Sequence, residues 1–443
     1  MELSEHLFRR EHGRLVAALT RIFGIHNLAL AEDVVQDAFC RALEIWKVRG
    51  VPDNPAAWLM TVARNRALDI VRRERTARTF APELARALES EWTLTPTVDE
   101  AFAMSTIRDE QLRMTFSCCH PRLAEEVQIA LILNILCGFG AAEIASAFFT
   151  GRAAVEKRIA RGKKTLAGAK RLFELTDAEF GQRLAVVHRA LYLLFNEGYH
   201  GASALTPVRA DLCAEAIRLT TLLLVMSATA QPNTWALGAL MCLHAARLPA
   251  RVDASGELSP LADQDRTRWD AGLVKQGRAW LECGATGSVV STYHLEAAIA
   301  AVHASAASVE GTDWAAIVRL YDSMMTVAPS PVVGLNRAIA IGQRDGPERG
   351  LQALREISNA DRLRRYPFYP AALGEFELRR GAVEAARAHF AMAASLARNP
   401  SERRFLGRRL RECADTADGS DLESRDPADR LARARHRDSR LQP

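Results

Sequence analysis

Between Gly151 and Arg171 the chain carries eight basic side chains against one acid, Glu156, a net charge of +7. They are Arg152, Lys157, Arg158, Arg161, Lys163, Lys164, Lys170 and Arg171. Guanidinium and ammonium groups at this density neutralise phosphates, and a few can read base edges through paired hydrogen bonds. Val155, Ile159 and Leu166 recur at helical spacing, so the charges ride on an amphipathic helix that starts near Arg152. A shorter helix over 141–148 precedes it, offering Ile144, Ala145 and Phe148 to a core. Phe149-Thr150-Gly151 breaks the pattern, with Thr150 placed to cap the second helix. A short helix, a corner and a basic second helix form a helix-turn-helix whose second member suits the DNA major groove. The competing reading of the same residues is a solvated basic helix in an ordinary helical protein.

Other chemistry is weakly supported. Cys118-Cys119-His120 has the right atoms for a metal, but adjacent cysteines on a helix do not converge on one ion. They read as buried thiols and a helix-ending His-Pro, so no metal and no cofactor is expected. The histidines of the C-terminal half, His188, His200, His244, His294 and His303, stand among scattered acids, and Asn196–His200 is the most site-like cluster. Gly198 argues that its helix ends there. HExxH, a nucleophile elbow and a glycine-rich phosphate loop are all missing. The segment 343–350, QRDGPERG, reads as a turn. An enzyme is not expected.

The elements that must position these charges are helices. Hydrophobic residues make up 49% of the 443 and charged ones 25%, with a formal net charge of only +5. The basic charge is therefore concentrated, as a DNA reader needs. Ala, Leu, Arg and Glu dominate and strand signals are scarce, so the fold is all-α and the length calls for two or three domains. Eight cysteines at irregular spacing read as reduced thiols. The first fourteen residues lack a signal peptide's apolar core, and the apolar run 129–137 is too short for a bilayer. A cytoplasmic location and no membrane partner follow.

Helices are expected over 5–23, 30–46 and 56–75. The second presents Glu32, Asp33, Gln36 and Asp37 as a polar, acidic surface. The third packs Trp58, Leu59, Val62, Ala63, Leu68 and Ile70, while six arginines stand against two acids from Met60 to Arg78. Together, LAEDVVQDAFCRALEIW and NPAAWLMTVARNRALDIVRRE resemble region 2 of the bacterial sigma-70 family, in its small extracytoplasmic-function class. The helix-turn-helix lies where that family carries region 4.

The resemblance implies specific roles. The acidic surface, here Asp33, Gln36 and Asp37 with Phe39 packed beside them, would dock on the β′ coiled coil of core RNA polymerase. The loop 47–54 and the following helix, through Arg64, Asn65, Asp69, Arg72 and Arg73, would open the −10 element and hold a flipped base. Region 4 would meet the β flap and read the −35 element of promoter DNA, with Arg152, Glu156 and Lys157 on bases and Arg158, Arg161, Lys163 and Lys164 on phosphates. The expected domains are 1–79 (region 2), 80–107 (acidic linker), 108–171 (region 4), 172–411 (a C-terminal helical array) and 412–443 (a disordered tail).

In the array, Tyr321 stands ten residues before Pro331 and Phe390 ten before Pro400. The interval from Tyr321 to Phe390, 69 residues, is about two periods of a 34-residue tetratricopeptide-type repeat. LYLLFNEGY, DQDRTRWD, TDWAAIVRLYD and PSPVVGLNRAIA resemble the sigma factors that carry a long tetratricopeptide-like extension. That likeness implies regulation by the extension and an association with small DGPF-type proteins or peptides. Asn196, Glu197, Tyr199, Asp263, Gln264, Asp265, Arg266 and Trp269 are expected either to form a buried polar contact between helices or to line a peptide groove. Two other functions compete: a helix-turn-helix regulator that needs no polymerase, and a helical-repeat scaffold. An acidic surface joined to a second, arginine-bearing module favours the sigma factor, because an autonomous repressor needs neither.

Overall fold

The computed structural model describes residues 2–73, 104–148, 150–168, 177–200, 208–253, 259–397 and 400–423. These residues are helical, with no strand among them. They fall into two compact units. The first takes the chain up to Gly201, then 208–245 and 275–287; the second holds 246–274 and everything from Ser288.

The first unit opens with α1 (Glu2–Phe23), α2 (Leu28–Arg49) and α3 (Pro55–Arg73). Gly24 and Gly50 end α1 and α2 with positive φ, of 81° and 79°, where a side chain would be strained. Asn54 then starts α3, its Oδ1 accepting from the Ala57 N–H at 3.0 Å. Leu15, Leu19, Ile22, Val35, Ala38, Leu59 and Ala63 fill the core between the three.

The next four helices are α4 (Met104–Cys118), α5 (Glu125–Leu131, running into a π-helical turn Ile132–Leu136), α6 (Ala141–Ala147) and α7 (Arg152–Ala167). Extension helices α8 (Asp177–His200), α9 (Ala210–Val225) and α10 (Pro232–Ala245) pack in series against α4 and α5, and α12 (Ala271–Gly284) lies against α10. The short α11 (Leu248–Arg251) belongs to the second unit.

Three details differ from the sequence reading. Gly151 occupies the N-cap of α7 and no side chain caps it, so Thr150 stands one residue too early. Gly198 does not end its helix: α8 runs on to His200. Gly198 is instead where α8 meets α9 backbone, since a Cβ there would lie 2.8 Å from the Arg209 carbonyl oxygen and 2.9 Å from the Cys213 nitrogen. The passage after region 4 becomes helical at Asp177, earlier than the connector 172–182 suggested.

The second unit stacks antiparallel pairs: α13 (Thr292–Ser305) with α14 (Trp314–Val327), then α15 (Pro331–Asp345), α16 (Pro347–Arg355), α17 (Phe368–Arg379), α18 (Val383–Ser395) and α19 (Pro400–Glu423). Helices α14, α16 and α18 begin 33 and 36 residues apart, the period read from the prolines. Ser330 caps α15 and Pro331 takes its first turn. The turn QRDGPERG is a packing device. Cβ atoms at Gly342 and Gly350 would fall 2.2 and 2.6 Å from the Phe376 ring, so the two glycines form the slot that holds it. Helix α19 passes Arg411 and continues to Glu423, into the stretch read as a tail. The greater part of the expected linker (80–103) and tail (424–443) lies outside the described residues.

Candidate nucleic-acid and polymerase interfaces

Helix α7 divides its residues between a buried and an open face. Val155, Ile159, Gly162 and Leu166 point inward. Gly162 is needed there: a Cβ would lie 2.8 Å from Leu131 Cδ1, so α5 and α7 approach at van der Waals contact. Lys157, Arg161 and Lys164 form an exposed stripe at spacings of four and three. Arg152 and Glu156 are also exposed and pair with each other, Nε to Oε1 at 2.7 Å. Each is therefore partly neutralised by its neighbour until a base competes. Arg158 is turned toward Glu126, at 3.5 Å. Lys163 faces the first domain, where its Nζ donates to both carboxylate oxygens of Glu32 at 2.7 and 2.9 Å. Of the seven candidates on this helix, five are thus open and two are held by acids from other helices.

On the first domain, Asp33 and Gln36 are exposed on α2. Asp37 lies within 3.4 Å of Arg66 and 3.8 Å of Arg41, which share its charge. Phe39 is buried and stacks on Phe8 with centroids 4.6 Å apart, anchoring this face from beneath. On α3, Asn65 and Asp69 are exposed, and Arg64 Nη1 donates to Asn65 Oδ1 at 3.3 Å. The side chains of Arg72 and Arg73 lie outside the described residues. The loop between α2 and α3 is braced by an edge-to-face pair, Trp46 and Trp58, at 5.4 Å. Beside it Leu43, Val48 and Val51 are open to solvent. Sequence reasoning passed over these apolar side chains; three exposed aliphatics flanking one loop were the available signal.

The thiols of the Cys118-Cys119 pair are buried, which pushes Cys118 well up and Cys119 up to about 12, so neither is a ready thiolate. Among the described residues no group of His, Cys, Asp and Glu is arranged to hold a metal ion, and no helix is long and apolar enough to cross a membrane.

The polar set of the extension is divided between the two units. Tyr199, in the first, stacks on Phe195 at 5.8 Å and meets His244 at 5.2 Å; Asn196 and Glu197 are half-buried on the same helix. In the second, Arg266 serves as a helix cap. Its Nη1 donates to the carbonyls of His303 and Ala306 at 2.7 and 2.8 Å, where α13 ends. Trp269 lies between the guanidiniums of Arg247 and Arg266, 5.5 and 5.2 Å from the ring centroid. Gln264 is buried and links Arg247 to the Ser259 carbonyl. Asp265 accepts from the Thr267 N–H at 3.0 Å, and Asp263 is exposed. The second-unit members make a structural knot around Trp269 rather than an open groove.

An acidic α2, an arginine-bearing α3 and a helix-turn-helix with a basic stripe define the class. Residues 7–77 match sigma-70 region 2, a non-enzymatic domain of transcription initiation that implies binding to core RNA polymerase. Residues 183–285 match a family of unknown function, DUF6596. An uncharacterized protein of Rhizobium meliloti (strain 1021) is 40% identical over 398 residues, covering 89% of this chain and 92% of that protein. The chain belongs to the same family as that protein, one built from a sigma-70 region 2 and a long helical extension. No solved structure matches it.

Proposed function

We propose that this chain is a sigma factor of the extracytoplasmic-function class that binds core RNA polymerase and directs promoter-specific initiation. One observation carries the reading: a sigma-70 region 2 is followed, in the same unit, by a helix-turn-helix whose second helix presents Lys157, Arg161 and Lys164 as an open basic stripe. Residues 1–79 act as region 2 and 108–171 as region 4. Asp33, Gln36 and Asp37 dock on polymerase, and Arg64, Asn65 and Asp69 approach the −10 element. Arg152, Glu156 and Lys157 approach −35 bases, while Arg161 and Lys164 take phosphates.

The extension shapes region 4. Leu112, Thr115 and Ile132 meet Val187, Leu191, Leu219, Leu222 and Leu223 around a void of only about 10 Å³. Phe116 and Phe180 pack edge-to-face at 4.7 Å, and Arg209 reaches Glu143 on α6 at 3.1 Å. An interface packed this closely presents the helix-turn-helix in one orientation.

The test is reversal of charge at the docking face. Asp33→Lys with Asp37→Lys should abolish co-purification with core polymerase while the protein stays helical and monodisperse. Undiminished binding by such a variant would defeat the docking assignment. A helix-turn-helix regulator working without polymerase would instead bind promoter duplex equally well with either sequence.

A further inference from the structure

The contact between the two DNA-binding domains is one that promoter recognition cannot keep. In B-DNA a turn of 10–10.5 base pairs spans 34–36 Å, so −10 and −35 elements about 25 base pairs apart lie roughly 80 Å from one another. The described structure has α1 packed on α4 and on the π-helical turn, and α7 packed on the short turn Ile25–Asn27. Lys163 and Glu32 pair across this contact with both side chains more than two-thirds buried, at 29% and 22% exposure. Arg21 pairs with the buried Glu110 at 2.8 Å. Gly13 brings α1 against main chain: a Cβ there would sit 2.2 Å from the Leu136 carbonyl oxygen. Thirty residues, 74–103, join the domains, and at about 3.3 Å each they reach roughly 100 Å, enough to let them part.

The position of the pair matters as much as its strength. Glu32 is one residue from Asp33 and one helical turn from Gln36, on the surface assigned to polymerase. Lys163 is adjacent to Lys164, on the helix assigned to DNA. One ion pair thus ties the two working surfaces to each other.

We propose that the free chain is latched shut by Glu32–Lys163 and by the Gly13–Leu136 approach, and that core polymerase opens the latch when it takes the α2 surface. The latch rests on the sigma-factor reading for its purpose, whereas its existence can be judged in the free chain. Once opening is required, apparent affinity for polymerase falls in proportion to the open fraction. A variant that opens the chain without touching either working surface then binds more tightly.

Distance measurement between spin labels tests this on the full-length protein. Cys40 and Cys283 are the exposed cysteines, so one label goes on Cys40 and the other on Arg122→Cys, in a Cys283→Ser background. The free chain should give one short, narrow distance. Gly13→Val and Lys163→Glu should each lengthen and broaden it. The swap Glu32→Lys with Lys163→Glu should restore it, which separates opening from simple misfolding. Core polymerase should lengthen it in the parent chain, and Gly13→Val should bind core more tightly. A free chain already broad, single variants that leave the distance short, or a polymerase complex that keeps it short would each overturn the latch. Failure of every form to bind polymerase would sink the sigma-factor reading, while the free-chain distances would still decide whether the latch exists.

Discussion

The helix-turn-helix domain is gripped from two sides, and the grips are built differently. On the extension's side, Leu112, Thr115 and Ile132 interlock with five aliphatic side chains of α8 and α9. Only eight residues, 169–176, separate α7 from α8. On region 2's side the contact includes two half-exposed ion pairs and a glycine set against main chain, and thirty residues connect the domains. Burial of large apolar side chains stabilises by about 1.5–3 kcal/mol each. Partly exposed ion pairs give about 0–1 kcal/mol and weaken with salt. One contact is therefore suited to permanence and the other to release. In this chain, region 4 belongs mechanically to the extension as much as to the sigma half.

The largest expected effect comes from removing the permanent side. Truncation after Arg171 strips Phe180, Val187, Leu191, Leu219 and Leu223 from α4 and α5. That opens Leu112, Phe116 and Ile132 to water. Region 2 should still dock, yet promoter-directed run-off transcription should be lost at matched core occupancy. Identical promoter choice and output from the truncated and full-length proteins would reduce the extension to a passenger.

A gentler version compares single residues. Leu191→Ala should cost about 2–5 kcal/mol in urea unfolding, because it leaves a cavity in a closely packed seam. Lys163→Gln should cost no more than about 1 kcal/mol. Equal losses would erase the distinction between the two contacts.

Two buried histidines allow a pH test of the same contrast. His12, at the region 2 seam, is lowered to about 4 by burial, with Lys163 adding to the effect; His188, within α8, is lowered to about 4 by burial. His188 is held there by Thr234, 2.8 Å from its Nε2. A histidine kept neutral in the fold but titrating near 6.5 when unfolded gives its full stability above about pH 6.5. That stability falls as the pH drops toward 4, because the unfolded chain takes up the proton first. Each could cost on the order of 3 kcal/mol across that window. Opening the latch by Gly13→Val should return His12 toward 6.5 and leave His188 depressed, as followed by NMR titration. Both histidines moving together would mean that the seams open as one.

Much of this arrangement was legible from periodicity. The inward set Val155, Ile159 and Leu166 lies as expected, and the repeat spacing of Tyr321, Phe390 and their prolines locates the helical pairs. What sequence could not supply were contacts between residues far apart in the chain. Glu32 and Lys163 are 131 residues apart, and nothing local to Lys163 distinguishes it from Lys164. Glycines misled in the same way. Gly198 looks like a helix stop, and Gly342 and Gly350 like a loop, until Cys213 and Phe376 are seen against them. The polar set of the extension was grouped by residue type, whereas the fold separates Tyr199 from Trp269 and gives each its own neighbours. The apolar rim Leu43, Val48 and Val51 escaped notice because attention went to charge.

The smallest effects concern the open face of α7, and they show which basic groups meet DNA. Lys157 and Lys164 are exposed and have no acid to give up, so each phosphate contact they make should release counterions at full value. Lys164→Ala should weaken promoter binding by the holoenzyme almost evenly across sequences, reducing the salt slope by about 0.9. Lys157→Ala should also reduce discrimination among −35 sequences if that side chain reaches a base edge. Arg158→Ala should change the slope less, since Arg158 must first leave Glu126, and part of its gain on DNA is spent there. Lys163 gives the sharpest comparison. In the latched chain it is neutralised by Glu32, whereas in the opened holoenzyme it is free to take a phosphate. Lys163→Ala should therefore lower the salt slope measured with polymerase, yet leave the weak binding of free protein to duplex unchanged. Equal changes in the two assays would show that Lys163 meets DNA without any opening, and that region 2 does not compete for it.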